Sequence, residues 1–225
     1  MKIDKIKENS LIKLILRLHL IELGITIFIY MIKGWVYVYS RNHHPTGANL
    51  SIFIDDYIPF IPVFVAFYAL YYFLPQVTLW FVSFTNKKKY IDLVITVLLG
   101  SLICGIFFNL YQVQMVKPDF EVKGIFTWGV SIIYQVDPIP INCFPSLHAY
   151  MGVIIILAVL GNCDFPKWMR VLFFICGFGI VLSTVFIKQR YFLDMVAGVV
   201  LPILIYMIVY PISNMIVRRY KKDEK

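Results

Sequence analysis

The sequence predicts an all-α protein, a six-transmembrane-helix bundle forming one membrane domain over residues 1–225, and three observations carry that expectation. Hydrophobic residues make up 60% of the chain and charged ones only 15%, a balance that excludes an ordinary soluble domain. Six apolar runs approach the roughly 20 residues that a helix needs to cross the hydrocarbon core. The basic residues collect in short clusters between alternate runs, which is how membrane topology is usually written. A net charge of +8 therefore points to the bilayer, and no nucleic-acid partner is expected.

The first run covers 16–39 and carries Glu22 and Lys33; with no small-residue cleavage site after it, it reads as a retained helix and not as a removable signal peptide. The second, 59–84, has no charge at all, and the third covers 93–116. A polar, proline-bearing connection follows, in which the apolar stretch 124–134 is too short to span and reads as an additional short interfacial helix. The fourth run, 146–161, is short; the fifth covers 171–187 and the sixth 191–217. Cys104, Cys143, Cys163 and Cys176 lack metal-like spacing and imply neither a disulfide framework nor a zinc site.

Most of the 21 Lys and Arg fall on one side: Lys2, Lys5, Lys7, Lys13 and Arg17 before the first span, Lys87, Lys88 and Lys89 after the second, Lys167 and Arg170 after the fourth, and Arg218, Arg219, Lys221, Lys222 and Lys225 after the sixth. The positive-inside tendency makes that side cytoplasmic, with both termini, and turns the connections after spans one, three and five outward.

Those outward connections hold the unusual polar residues. They are Lys117-Pro118, then Pro145-Ser146-Leu147-His148 at the start of span four, then Ser183, Lys188, Arg190 and Asp194 around the turn into span six. Ionisable groups near the bilayer are costly to desolvate, which invites a functional reading. Each residue also has a plainer one. Lys117, Lys188 and Arg190 can be basic side chains reaching for the headgroups. Arg190 and Asp194, four apart, can form a helical ion pair. Ser146 can be an N-cap and His148 a hydrogen-bonded interfacial histidine. His43 and His44, with Asp55 and Asp56, are poorly arranged to share one ion, so no metal is expected. Asp55-Asp56 reads as a cap on span two, with a substrate-headgroup role as the alternative.

Taken jointly, CFPSLHAY and STVFIKQRYFLDMVAG resemble the second and third signature motifs of the type 2 phosphatidic acid phosphatase superfamily over a core of about 53–205. The second motif of that family is Pro-Ser-x-His; the third has Ser, His seven positions later and Asp four beyond, places held here by Ser183, Arg190 and Asp194. The first motif ends in Arg-Pro after an earlier Lys, and here Lys117-Pro118 takes the ending while Leu110 stands where that Lys would be. The wording NCFPSLHA, with DDYIPFIP upstream and Thr184 in place of an arginine, is similar to the branch of inositol phosphorylceramide and sphingomyelin synthases.

The resemblance implies a multi-pass cell-membrane enzyme, a lipid phosphatase or phosphotransferase with an extracytoplasmic active site. It would act without metal or cofactor on a lipid phosphate, a polyprenyl diphosphate or a phospholipid headgroup. Phosphoryl transfer rests on positioning and charge stabilisation, so Lys117, Ser146, the Leu147 N–H at a helix start, Ser183 and Lys188 are the expected phosphate ligands. The third-motif His of the family attacks phosphorus, the Asp orients it and the second-motif His protonates the leaving oxygen, which assigns catalytic places to His148, Arg190 and Asp194.

Arg190 departs from that pattern at the nucleophile. A guanidinium with pKa above about 12 has no free lone pair near neutral pH, so it can bind phosphate but cannot form the covalent intermediate. A trapped or inactivated variant, a non-catalytic relative, or a mechanism rerouted through His148 would each produce this pattern. The class-distinct alternative is a non-catalytic phospholipid-binding or lipid-transport protein on the same fold.

Overall fold

A computed structural model of the chain describes residues 47–138, 140–161 and 165–223, together with isolated helical positions at 24, 27, 28, 31, 38 and 39. Apart from those positions, the expected first span, its preceding lysines, His43, His44 and Cys163 lie outside the described residues. Among the described residues the protein is all-helical. The helices are α1 (Phe53–Tyr57), α2 (Val65–Leu70, entered through a 3-10 turn at Pro62–Phe64), α3 (Leu74–Thr85), α4 (Lys87–Leu110), α5 (Ile125–Val136), α6 (Leu147–Val159), α7 (Lys167–Phe186) and α8 (Phe192–Asp223).

Three of these, α4, α7 and α8 to Ile216, are long and apolar enough to cross a membrane, and the pair α2 and α3 makes a fourth if counted as one span bent by 41°. The bend corrects the expectation of one continuous helix over 59–84. Pro75 stands at the start of α3, where its missing N–H costs nothing, and the turn at 71–73 separates the two pieces. The third run is also shifted. Asn86 caps α4 through its side-chain oxygen, which accepts the Lys89 N–H at 2.9 Å, so the lysines open the helix instead of preceding it. α4 then ends at Leu110, short of the expected 116. The chain beyond turns extended: Val113 bridges to Ala48 on one side and to Asn142 on the other, with Ala48 N donating to Gln112 O at 2.7 Å.

α6 is the centre of the bundle, packed against α3, α4, α7 and α8. All of its residues except Ile156 and Leu157 are buried, as an apolar helix with no polar face must be. In lipid, apolar burial does not by itself favour helix association, so close packing must. Gly152 and Gly177 supply it. A Cβ on Gly152 would stand 2.6 Å from the Gly177 carbonyl oxygen and one on Gly177 2.7 Å from that of Gly152, so the α6 and α7 backbones touch directly. Tyr150 ties α6 to α4 by donating its hydroxyl to Thr96 O at 2.6 Å. The N-terminus of α6, the C-terminus of α7 and the N-terminus of α8 thereby meet at one end of the bundle.

Candidate functional site at the motif end of the bundle

The second-motif segment turns into α6 through a cis Phe144–Pro145 bond and an extended Ser146. The Ser146 hydroxyl accepts the Ala149 N–H at 3.3 Å, so the N-cap reading holds. Its own N–H donates to Asp194 O at 3.0 Å and joins the two motifs. Gly198 of α8 lies so close to Ser146 O that a Cβ there would collide with it. Leu147 is the first helical residue, and its N–H is among those a helix start leaves without an intrahelical partner. His148 is buried at 8% exposure, and stacking defines its setting: Tyr71 lies 3.7 Å away at 26° and Tyr68 4.1 Å away at 15°, ring centroid to centroid.

The third-motif turn is built from backbone. Thr184 O accepts from both Gln189 N (3.0 Å) and Arg190 N (2.9 Å), and Lys188 takes the left-handed conformation at φ 53°. Arg190, 3% exposed, sits before α8 and not within it, so the helical pairing with Asp194 expected from their spacing does not apply. Its Nη1 donates to Gln189 O at 2.7 Å and to Cys143 Sγ at 3.4 Å. Asp194 is fully buried in the first turn of α8; its Oδ2 accepts the Tyr191 N–H at 2.9 Å, and its Oδ1 has no hydrogen-bond partner among the described residues. The Ser183 hydroxyl donates to Ile180 O in its own helix, which leaves it only its lone pairs for other partners.

Asp55 does more than its sequence position suggests. Its Oδ2 takes the Ile52 N–H at 2.9 Å within α1, and its Oδ1 takes the N–H of Phe192, the first residue of α8, at 2.7 Å. Lys188 Nζ donates to Asp55 O at 2.9 Å. Asp55 therefore caps the last helix and not the second span, clipping α1 onto the third-motif turn.

Above this floor opens a cavity of about 430 Å³, lined in part by Lys117, Lys188, Asp55, Asp56 and Tyr191. Lys117 Nζ donates to Asp137 O and lies 4.4 Å from the centre of the Tyr134 ring. Burial lowers its pKa to about 8, with Asp137 opposing and Arg190 adding to the shift. Of the expected site residues, Lys117 and Lys188 reach the cavity lining; Ser146, Leu147, His148, Ser183, Arg190 and Asp194 are buried and do not line it. Arg190 is nonetheless within electrostatic reach of Lys117 and of Tyr71 and Tyr72, which flank His148. Cys143 is the one thiol beside Arg190, and burial pushes it up to about 12, so at pH 7 only about one in 10⁵ such thiols is ionised and it offers no substitute nucleophile. Among the described residues no group of three His, Cys, Asp or Glu is placed to hold a metal ion.

Sequence reasoning missed the Tyr68 and Tyr71 stack, although Tyr68, Tyr71 and Tyr72 stand at helical spacing on one face. It also missed the Cys143 and Gln189 contacts of Arg190, which no spacing announces.

An all-helical membrane protein, with an arginine, a carboxylate and a stacked histidine gathered where three helix ends meet, is the class that fold and site define. The PAP2 superfamily model matches residues 133–208, a stretch that contains both the second and the third motif, and this supports membership of the type 2 phosphatidic acid phosphatase superfamily. No curated protein and no solved structure matches the chain.

Proposed function

We propose that the chain is a membrane phosphatase or phosphotransferase scaffold of this superfamily, acting on a lipid phosphate, a polyprenyl diphosphate or a phospholipid headgroup at the extracytoplasmic face, and that Arg190 leaves it without the covalent step. The observation that carries the reading is the carboxylate of Asp194: buried, with Oδ1 lacking a hydrogen bond, four residues after the place where the family has its nucleophile. A histidine at 190 would give that oxygen an imidazole N–H to accept and would itself be held in the tautomer that attacks.

With such a histidine the imidazole nitrogen forms a bond to phosphorus while the bond to the leaving oxygen breaks, and His148 gives that oxygen its proton. Water or an acceptor alcohol then displaces the imidazole and returns a proton to His148. Lys117, Lys188 and the start of α6 would hold the phosphate oxygens. Arg190 supports binding alone, since it carries charge without a lone pair. The six-span topology with the motif end outward belongs to this reading, supported by the distribution of basic residues.

The second reading is a phospholipid-binding protein without catalysis, and the Arg190 side chain favours it. Phosphate release and headgroup transfer from a panel of lipid phosphates, polyprenyl diphosphates and phospholipids decide between them. Arg190→His is expected to gain turnover by roughly 10² or more, and adding His148→Ala to remove it. If neither form turns over while phospholipid still binds, the non-catalytic reading stands; activity in the unaltered chain overturns the assignment of Arg190.

A further inference from the structure

The far end of the bundle, where α3 and α6 finish and α4 begins, has polar groups that the motif chemistry does not use. A second cavity of about 300 Å³ opens there, within the size range of small-molecule sites, and Lys88, Lys89, Asp92, Tyr206, Tyr210 and Asn214 contribute to its lining. Lys88 Nζ donates to Asp92 Oδ2 at 2.6 Å and to Ser213 Oγ at 2.7 Å, and lies 4.6 Å from the centre of the Tyr210 ring. The rings of Tyr206 and Tyr210 stack at 5.8 Å and 28°. Asp92 is 1% exposed, and its second oxygen, Oδ1, has no hydrogen-bond partner among the described residues.

Two requirements follow for an occupant. The two lysines outweigh the one carboxylate, so the cavity as a whole favours an anion. A bare phosphate cannot face Asp92 Oδ1, because both carry negative charge; that oxygen needs a hydroxyl donor, and a buried acceptor without one is unfavourable. One group meets both conditions when the phosphate lies toward Lys88 and Lys89 and a hydroxyl two or three bonds further on donates to Asp92.

We propose that this end of the bundle is a second binding site, for a phosphodiester or phosphomonoester that carries a hydroxyl, supplied either by a phospholipid headgroup or by a soluble polyol phosphate. The site stands at the first turns of α4, a helix long and apolar enough to cross a membrane, which places it where headgroups lie. It is independent of the phosphatase reading, since it shares no residue with the motif end.

The test is native mass spectrometry of the full chain in detergent, with phosphatidylglycerol against phosphatidylmethanol, two anionic lipids that differ in the headgroup hydroxyls. Phosphatidylglycerol is expected to be retained roughly tenfold more strongly, as a hydrogen bond to a charged group warrants. Lys89→Gln should weaken both lipids and Lys89→Arg should restore them. Asp92→Asn, checked for unchanged melting temperature, should narrow the preference, and Lys117→Ala at the motif end should leave it intact. Displacement of the lipid by glycerol 3-phosphate would identify a soluble occupant, and retention in its presence a lipid one. Equal retention of the two lipids, or loss with Lys117→Ala but not with Lys89→Gln, overturns the proposal.

Discussion

The two motif segments are held in opposite ways. α6 owes its place to side chains, or to their absence: it is surrounded by four helices, and at Gly152 and Gly177 there is no room for even one more carbon. The turn from 187 to 191 owes its shape to main-chain bonds onto Thr184 and Val185 and to the clip from Asp55, none of which involves the side chain at 190. One segment accepts no change of shape, while the other can carry a different chemical group at its tip with its backbone bonds intact. Arg190 stands on the permissive segment, which accounts physically for a scaffold that keeps its form where its chemistry departs from the superfamily pattern.

The sharpest way to break that comparison is Gly177→Leu. Its Cβ meets backbone, which cannot swing aside, so a loss of about 3 kcal/mol or failure to insert is expected in thermal unfolding of the purified protein. An unchanged melting temperature would mean that the two helices are free to separate. Asp55→Ala should cost less, about 1–2 kcal/mol, because it removes a cap from α8 and leaves the Phe192 N–H without its acceptor.

Substrate affinity should then follow pH through Lys117. With its pKa lowered to about 8, the ammonium is mostly present at pH 7 and mostly lost at pH 9, so affinity for a lipid phosphate falls about tenfold across that interval. Lys117→Arg should flatten the profile, since a guanidinium stays charged. The smallest effect is expected from Arg190→His on stability: within about 1 kcal/mol in either direction, since removing a buried charge offsets the contacts it forfeits. A larger loss would show that the turn depends on this side chain after all.

The α5 and α6 boundaries were legible because their signals are local. An apolar stretch too short to span became Ile125–Val136, and Pro145-Ser146 announced the cap of α6. The end of α4 was not legible, because Tyr111 to Val116 is as apolar as a helix and leaves it to pair with Ala48 and Asn142, partners distant in sequence. The break in the second span had a signal in Pro75, outweighed by the absence of charge around it. Asp55 shows the same limit at the site. Its capping chemistry was readable from residue type, whereas the helix it caps lies 137 residues further along.

The brevity of α6 has a consequence for the bilayer. Thirteen residues rise only about 20 Å, roughly 10 Å less than the thickness of a hydrocarbon core. Irregular main chain at such a depth survives only where protein supplies its missing partners. The extended segments around Ala48, Val113 and Asn142 complete one another's N–H and C=O groups beside the mouth of α6, so they serve as insulation that lets a polar centre sink below the surface of an oily slab without exposing bare amides to it.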